Sequence, residues 1–216
     1  KCLHPQFMSN REVVERFYRE ANAATAVGNE HIIEVSDVGK FDDGSPYIIM
    51  EFLEGTELGK LMDTLGSLPI SRLVHIVSQV CEALGAAHAR GIVHRDMKPE
   101  NVYLVKRGQD SDFAKVLDFG ISKMKESNES LGGSLTKTGT ALGTPYYMPP
   151  EQAQGLRDVD HRADIYAVGV ILYQGLTGRL PFDADSYPAL MVKIMTETPT
   201  PIGELRSDVP PELADV

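Results

Sequence analysis

The sequence predicts an α+β chain in two unequal parts, a small N-terminal unit of strands with one helix and a larger, mainly helical C-terminal unit. Three observations carry this. Residues 9–26, SNREVVERFYREANAATA, place Val13, Phe17 and Ala21/Ala24 at helical spacing. HIIEVSDVGKFDDGSPYIIMEFLEG, which follows, reads as two strands joined by a turn. Beyond EGTE at 54–57, a polar, glycine-bearing break suited to a hinge, the apolar pattern takes a helical period.

Taken in order, Ser9 and Glu12 fit a capping box at the start of the first helix. Asp42-Asp43-Gly44 supplies the turn between the strands. Leu73, Ile76/Val77, Val80, Leu84 and Ala87/His88 make one helical stripe, with Gly91 at its C-cap. GIVHRDMKPENVYL, residues 91–104, then places His94, Arg95, Asp96, Lys98 and Asn101 within eight positions. Ile92-Val93 and Val102-Tyr103-Leu104 flank this cluster as short strands or buried edges, so the charges sit in a loop braced by core. Such a concentration of ionisable groups beside a core is costly unless they are paired or bind something. Residues 122–144 are poor in large apolar side chains and read as a long surface loop, a kind that is usually functional. DIYAVGVILYQGLTG, 164–178, is apolar almost all round and predicts a fully buried helix. The proline-rich tail from 198 is irregular.

Composition bounds the function. Of 216 residues 42% are hydrophobic and 24% charged, ordinary for a soluble globular protein. A formal charge of −10 and a pI near 5.0 argue against nucleic-acid binding. Cys2 and Cys81 make neither a disulfide framework nor a zinc spacing and read as reduced thiols of a cytoplasmic protein. The longest apolar run, Ala167 to Tyr173, is too short for a membrane span, and no signal segment opens the chain. Because it begins at Lys1 rather than Met, the gene product is expected to start earlier.

The loop also suggests a chemistry. Asp96 and, five residues on, Asn101 can offer two oxygen ligands, or a base and a ligand. A further acid, Asp118, follows in KVLDFGIS. Carboxylate and amide oxygens suit a hard cation such as Mg²⁺, which takes one or two protein groups plus phosphate oxygens. Lys98 lies within reach as a point charge for phosphate. A base, metal ligands and a phosphate-binding cation are the parts of phosphoryl transfer.

HRDMKPEN matches H-R-D-x-x-x-x-N, DFG follows with its Asp 17 residues after Asn101, and GTPYYMPPE stands where A-P-E closes an activation segment. Over nearly its whole length the chain resembles the eukaryotic-like (Hanks-type) protein kinases, most closely their bacterial serine/threonine branch. The resemblance implies a two-lobe α+β fold: a partial N-lobe at 1–52 lacking its first two strands, a hinge at 53–56, and a partial C-lobe at 57–216 with the activation segment at 118–151. It implies that Asp96 accepts the substrate hydroxyl proton, that Lys98 steadies the transferring phosphoryl group, and that Asn101 and Asp118 hold Mg²⁺. Glu20, in REA, would pair with Lys1, which would contact the α- and β-phosphates of ATP. Met50 would guard the back of the pocket, while the Glu51 carbonyl and the Leu53 N–H would take adenine. His94 would be a packing residue beside Phe119 and Ala24, and Asp164 a support for the catalytic-loop backbone. Arg95 would pair with phosphate on Thr136 or Thr138. Thr144 would bond the catalytic loop and shape the substrate seat; with Lys98 it is the serine/threonine signature.

Some positions depart from the pattern. No G-x-G-x-x-G occurs, the chain stops before the arginine that usually pairs with Glu151, Pro149 stands for Ser or Ala, and Gln174 stands for Glu. The expectation is a kinase domain truncated at both ends, with a fraying Lys1 and little activity on its own. The implied function is transfer of the γ-phosphoryl group of ATP, with Mg²⁺, to Ser/Thr hydroxyls of protein substrates. The implied partners are those substrates and a homodimer for trans-autophosphorylation; neither nucleic acid nor a membrane segment is expected, with the parent free to be membrane-anchored. The other readings are a pseudokinase that binds partners, against which Lys1, Glu20, Asp96, Asn101 and Asp118 are all present, and a small-molecule phosphotransferase, against which stands GTPYYMPPE as a protein-substrate platform.

Overall fold

The computed structural model describes residues 1–118, 145–156 and 159–215, the side chains of Pro5, Arg16 and Glu20 excepted. Helix α1 (Arg11–Val27) begins one residue later than a cap at Ser9 requires. Asn10, extended at φ −91°, is the cap: its Oδ1 accepts from the Glu12 and Val13 amides at 3.1 and 3.3 Å. The capping-box expectation is thus corrected, because the carboxamide of Asn10 itself reaches the first orphan amides. Strands β1 (Val35–Lys40) and β2 (Pro46–Met50) pair antiparallel, Val38 opposite Ile48, around the expected turn. There Asp43 Oδ1 accepts the Ser45 amide at 2.8 Å.

Residues 1–3 run along the other edge of β2. The Lys1 amino group and carbonyl bond Ile48 at 2.9 and 2.8 Å, and the Leu3 amide bonds the Pro46 carbonyl at 3.1 Å. The backbone of Lys1, where fraying is expected, is thus hydrogen-bonded to β2, and Cys2 bridges Tyr47. Phe17, Ala21 and Ile48 form the small core between α1 and this sheet.

The larger part opens with β3 (Gly55–Glu57), which pairs with β4 (Val102–Arg107), which in turn pairs with β5 (Asp110–Val116). The break expected at 54–57 is thus mostly strand, and the connector is 51–54. Gly55 permits this, since a Cβ there would lie 1.9 Å from the Leu104 carbonyl oxygen. Helix α2 (Leu58–Leu65), which the apolar pattern did not separate, precedes α3 (Ile70–His88). The predicted stripe of α3 is buried from Leu73 to Ala87, with His88 half-buried. Its cap is Ala89 rather than Gly91; Gly91, at φ 71°, closes the end by donating to His88 while Ile92 donates to Ala87, at 2.9 and 3.0 Å. Ile92-Val93 form no strand, whereas Val102–Leu104 do.

Helices α4 (Pro150–Ala153), α5 (Arg162–Thr177), α6 (Tyr187–Thr196), α7 (Ile202–Leu205) and α8 (Pro211–Ala214) complete the order. The full burial expected of α5 is corrected at Ile165, which is 59% exposed. The main core gathers Leu73 and Ile76 of α3, Ile171 and Leu176 of α5, Val102 of β4 and Val116 of β5. Ala24 and Val27 of α1 and Ile32 and Ile33 enter the same core, and Val116 exchanges backbone bonds with His31 and Ile33 at 2.7 and 3.0 Å. The two-lobed α+β arrangement is thus the one the sequence predicts. Among the described residues no helix is long and apolar enough to cross a membrane.

Candidate active site

The loop 94–101 is held from below by one carboxylate. Asp164, in the first turn of α5 and fully buried, accepts the Arg95 amide on Oδ1 at 2.7 Å, and on Oδ2 the His94 amide at 2.8 Å. His88 Nε2 lies 2.7 Å from the same Oδ2. Arg95 has φ 64°, a left-handed conformation that costs a non-glycine residue roughly 1–2 kcal/mol. Bonds to an ionised acceptor are strong enough to offset it.

His94 is packed away from solvent, as expected of a structural residue. Its Nδ1 accepts the Asp96 amide at 3.3 Å, so Nε2 carries the proton and donates to the Leu117 carbonyl at 2.9 Å. That bond ties the loop to the residue before Asp118. Asn101 makes the second tie: its carbonyl accepts the Leu117 amide at 2.8 Å, and its Nδ2 donates to the Asp96 carbonyl at 2.7 Å. Asn101 Oδ1 accepts nothing among the described residues.

The reactive groups stand on this frame. Lys98 Nζ lies 3.7 Å from Asp96 Oδ2. Asp118, just beyond β5 and left-handed at φ 47°, has a side chain 54% exposed, with Lys1 Nζ 2.7 Å from its Oδ1. Above, Lys1, Ile33, Met50, Glu51, Leu53 and Leu117 line an open cleft. Neither the Glu51 carbonyl nor the Leu53 N–H makes a hydrogen bond among the described residues.

Asn101 Oδ1 and the Asp118 carboxylate are oxygen donors that fit Mg²⁺. No group of three or more His, Cys, Asp or Glu that could hold a metal occurs among the described residues. Magnesium suits such a sparse set, because it takes its remaining ligands from water and phosphate.

A second, small pocket lies beneath the loop, lined by Asp96, Lys98, Tyr147, Pro149 and Gln152. Gln152 Nε2 donates to the Arg95 carbonyl at 3.2 Å, a support with no local sequence signal. Burial raises the Tyr147 phenol well above its ordinary pKa, so its proton stays on and is donated to Gln174 Oε1 at 2.6 Å. Gln174, a departure from the kinase pattern, thus has a defined partner. Burial lowers the Arg95 guanidinium against the opposing charge of Asp164. Arg95 Nη2 donates to the Val159 carbonyl at 3.1 Å, but its buried Nε has no partner among the described residues.

The structure thus brings together Lys1, Asp96, Lys98, Asn101 and Asp118, with Met50, Glu51 and Leu53 along the cleft. Glu20 lies on α1, its side chain outside the described residues. Phe119, Thr136, Thr138 and Thr144 also lie outside them.

The protein kinase domain model matches residues 1–213. Among similar proteins, the serine/threonine-protein kinase pkn3 of Myxococcus xanthus is 46% identical over 208 residues, covering 96% of this chain and 38% of the relative. Pkn1 of the same organism is 46% identical over 201 residues, covering 93% and 28%. PknB of Mycolicibacterium smegmatis is 38% identical over 216 residues, covering 99% and 33%. The crystal structure of a point mutant of the Mycobacterium tuberculosis PknI kinase domain aligns with a TM-score of 0.66 at 30% identity, covering 96% of this chain and 70% of that one. The chain therefore spans well under half the length of these curated relatives.

Proposed function

We propose that this chain, which belongs to the protein kinase domain family, transfers the γ-phosphoryl group of ATP to serine and threonine hydroxyls of protein substrates. The observation that carries this reading is the assembly of Lys1, Asp96, Lys98, Asn101 and Asp118 around one loop, beside a cleft with an unused backbone acceptor and donor at Glu51 and Leu53.

Adenine lies along the connector, giving its amino proton to the Glu51 carbonyl and accepting from the Leu53 N–H, with Met50 at the back. Lys1 binds the α- and β-phosphates, and Glu20 pairs with it. Asn101 and Asp118 would hold Mg²⁺, which would supply neutralisation of the charge on the phosphate oxygens. Asp96 accepts the proton of the substrate hydroxyl, and Lys98 sits where it steadies the transferring group. Since the loop geometry is set by Asp164, His94 and Asn101, positioning and electrostatics do the chemical work.

Thr144 helps seat the acceptor residue. Phosphorylation of Thr136 or Thr138, in trans within a homodimer, activates the enzyme; the incompletely bonded guanidinium of Arg95 supports a phosphate partner.

The test is transfer of labelled γ-phosphate from Mg-ATP to a protein acceptor. Asp96→Asn is expected to lower kcat by roughly 10²–10⁴-fold while the KM for ATP stays about constant, since the base acts in the chemical step. Full turnover by this variant would sink the assignment. Mass spectrometry should find phosphate at Thr136 or Thr138, and a Thr136→Ala/Thr138→Ala protein that is as active as the original would remove the loop switch.

A further inference from the structure

Lys115 is not accounted for by the chemistry above. It lies on β5, three residues before Asp118, with a side chain only 13% exposed. Its ammonium donates to Glu51 Oε1 at 2.6 Å and reaches the Ile32 carbonyl at 3.4 Å. An ammonium so far out of water is unfavourable without an anion, and the partner here is Glu51.

Glu51 is fixed at two further points. Its amide donates to the Glu34 carbonyl at 3.0 Å, and its Oε1 also accepts the Glu34 amide at 2.8 Å. Side chain and backbone thus close a ring with Glu34, and Lys115 joins that ring to the strand leading into Asp118. What remains of Glu51 is its carbonyl, the group assigned above to adenine.

We propose that Lys115 is a positioning residue for nucleotide. Through the Glu51 carboxylate it sets the peptide carbonyl of Glu51, and the Leu53 N–H beyond it, at a fixed place relative to Asp118. The adenine end and the phosphate end of one ligand are thereby held in register by a single ion pair between β5 and the connector. This rests on the adenine reading of Glu51, and it adds the residue that holds the connector in place.

The experiment measures ATP KM and kcat, and the affinities of ATP and N6,N6-dimethyl-ATP, for the full-length protein and its variants. The unaltered protein should prefer ATP, because the dimethyl analogue cannot donate to the Glu51 carbonyl. Equal affinity there would overturn the adenine reading and the present proposal with it. If the preference exists, Lys115→Met should raise the KM for ATP roughly ten- to hundredfold, as ångström-scale misplacement can, leave kcat within about threefold, and shrink the preference. Lys115→Arg, which retains the charge, should restore most of it. Glu51→Gln keeps an acceptor for the Glu34 amide and removes only the charge facing Lys115. It should give the same shift, and it carries the test if Lys115→Met melts below the assay temperature. Unchanged KM and an undiminished preference in a folded variant would overturn the proposal while leaving the adenine reading intact. Higher turnover in Lys115→Met would also overturn it, by showing that the pair restrains the connector.

Discussion

The lower wall of the cleft is cross-braced by residues distant in sequence, whereas the upper wall rests on a thin sheet, a small core of its own and the end of α1 that enters the main core. Below, Asp164 fastens amides about seventy positions away, and the helices under it share the main core. Above, Phe17, Ala21 and Ile48 make up the small core, while Ile49 and Phe52 stand 50% and 88% exposed. Satisfied buried polar networks specify one geometry, and few buried apolar contacts mean local opening at low cost. The difference assigns accuracy to the lower wall, where Asp96, Asn101 and Asp118 sit, and adjustability to the upper wall.

The comparison can be broken in several places. The largest effect is expected for Asp164→Ala, which strands two amides that now share a buried carboxylate. It should destabilise the chain by roughly 3–5 kcal/mol, read by denaturant unfolding, and release Arg95 from its left-handed conformation. A loss below about 1 kcal/mol would show that the loop holds itself. Next, Ile48→Ala should cost about 2–4 kcal/mol. Hydrogen exchange should locate that loss in residues 11–50, with the amides of α3 keeping their protection; equal loss in α3 would show that both walls unfold as one unit.

A smaller effect, about 1 kcal/mol, is expected for Asn10→Ala, confined to the start of α1. A Ser9→Ala protein should be nearly unaffected, which sharpens the identity of the cap. The smallest is Arg11→Ala, which removes an exposed pair with Glu15 at i,i+4 spacing worth roughly 0.3–0.5 kcal/mol. The difference should vanish in molar salt.

Much of the lower wall was legible because its signals are local. Six polar residues in eight positions marked the loop, and the stripe from Leu73 to Ala87 follows from a helical period. The cap was misplaced by one residue, because Ser9 and Asn10 have equal claims until the geometry of the first turn is known. Strand β3 was read as a break, since Gly55 in isolation signals flexibility; only the backbone of β4 passing close by shows that it permits pairing. Gln152 and Lys115 gave no signal at all. Each acts through a partner 57 or 64 positions away, Arg95 and Glu51 respectively.

The sequence by itself determined the fold class, the order of its two parts and the apolar stripe of α3, because motif spacing and apolar period are properties of short stretches. Tertiary structure alone decided which nitrogen of His94 is protonated, what holds Arg95 left-handed, and which lysine faces the carboxylate of Glu51. Those outcomes depend on hydrogen bonds and charges meeting across the fold, where a buried polar group takes whatever partner the packing brings to it.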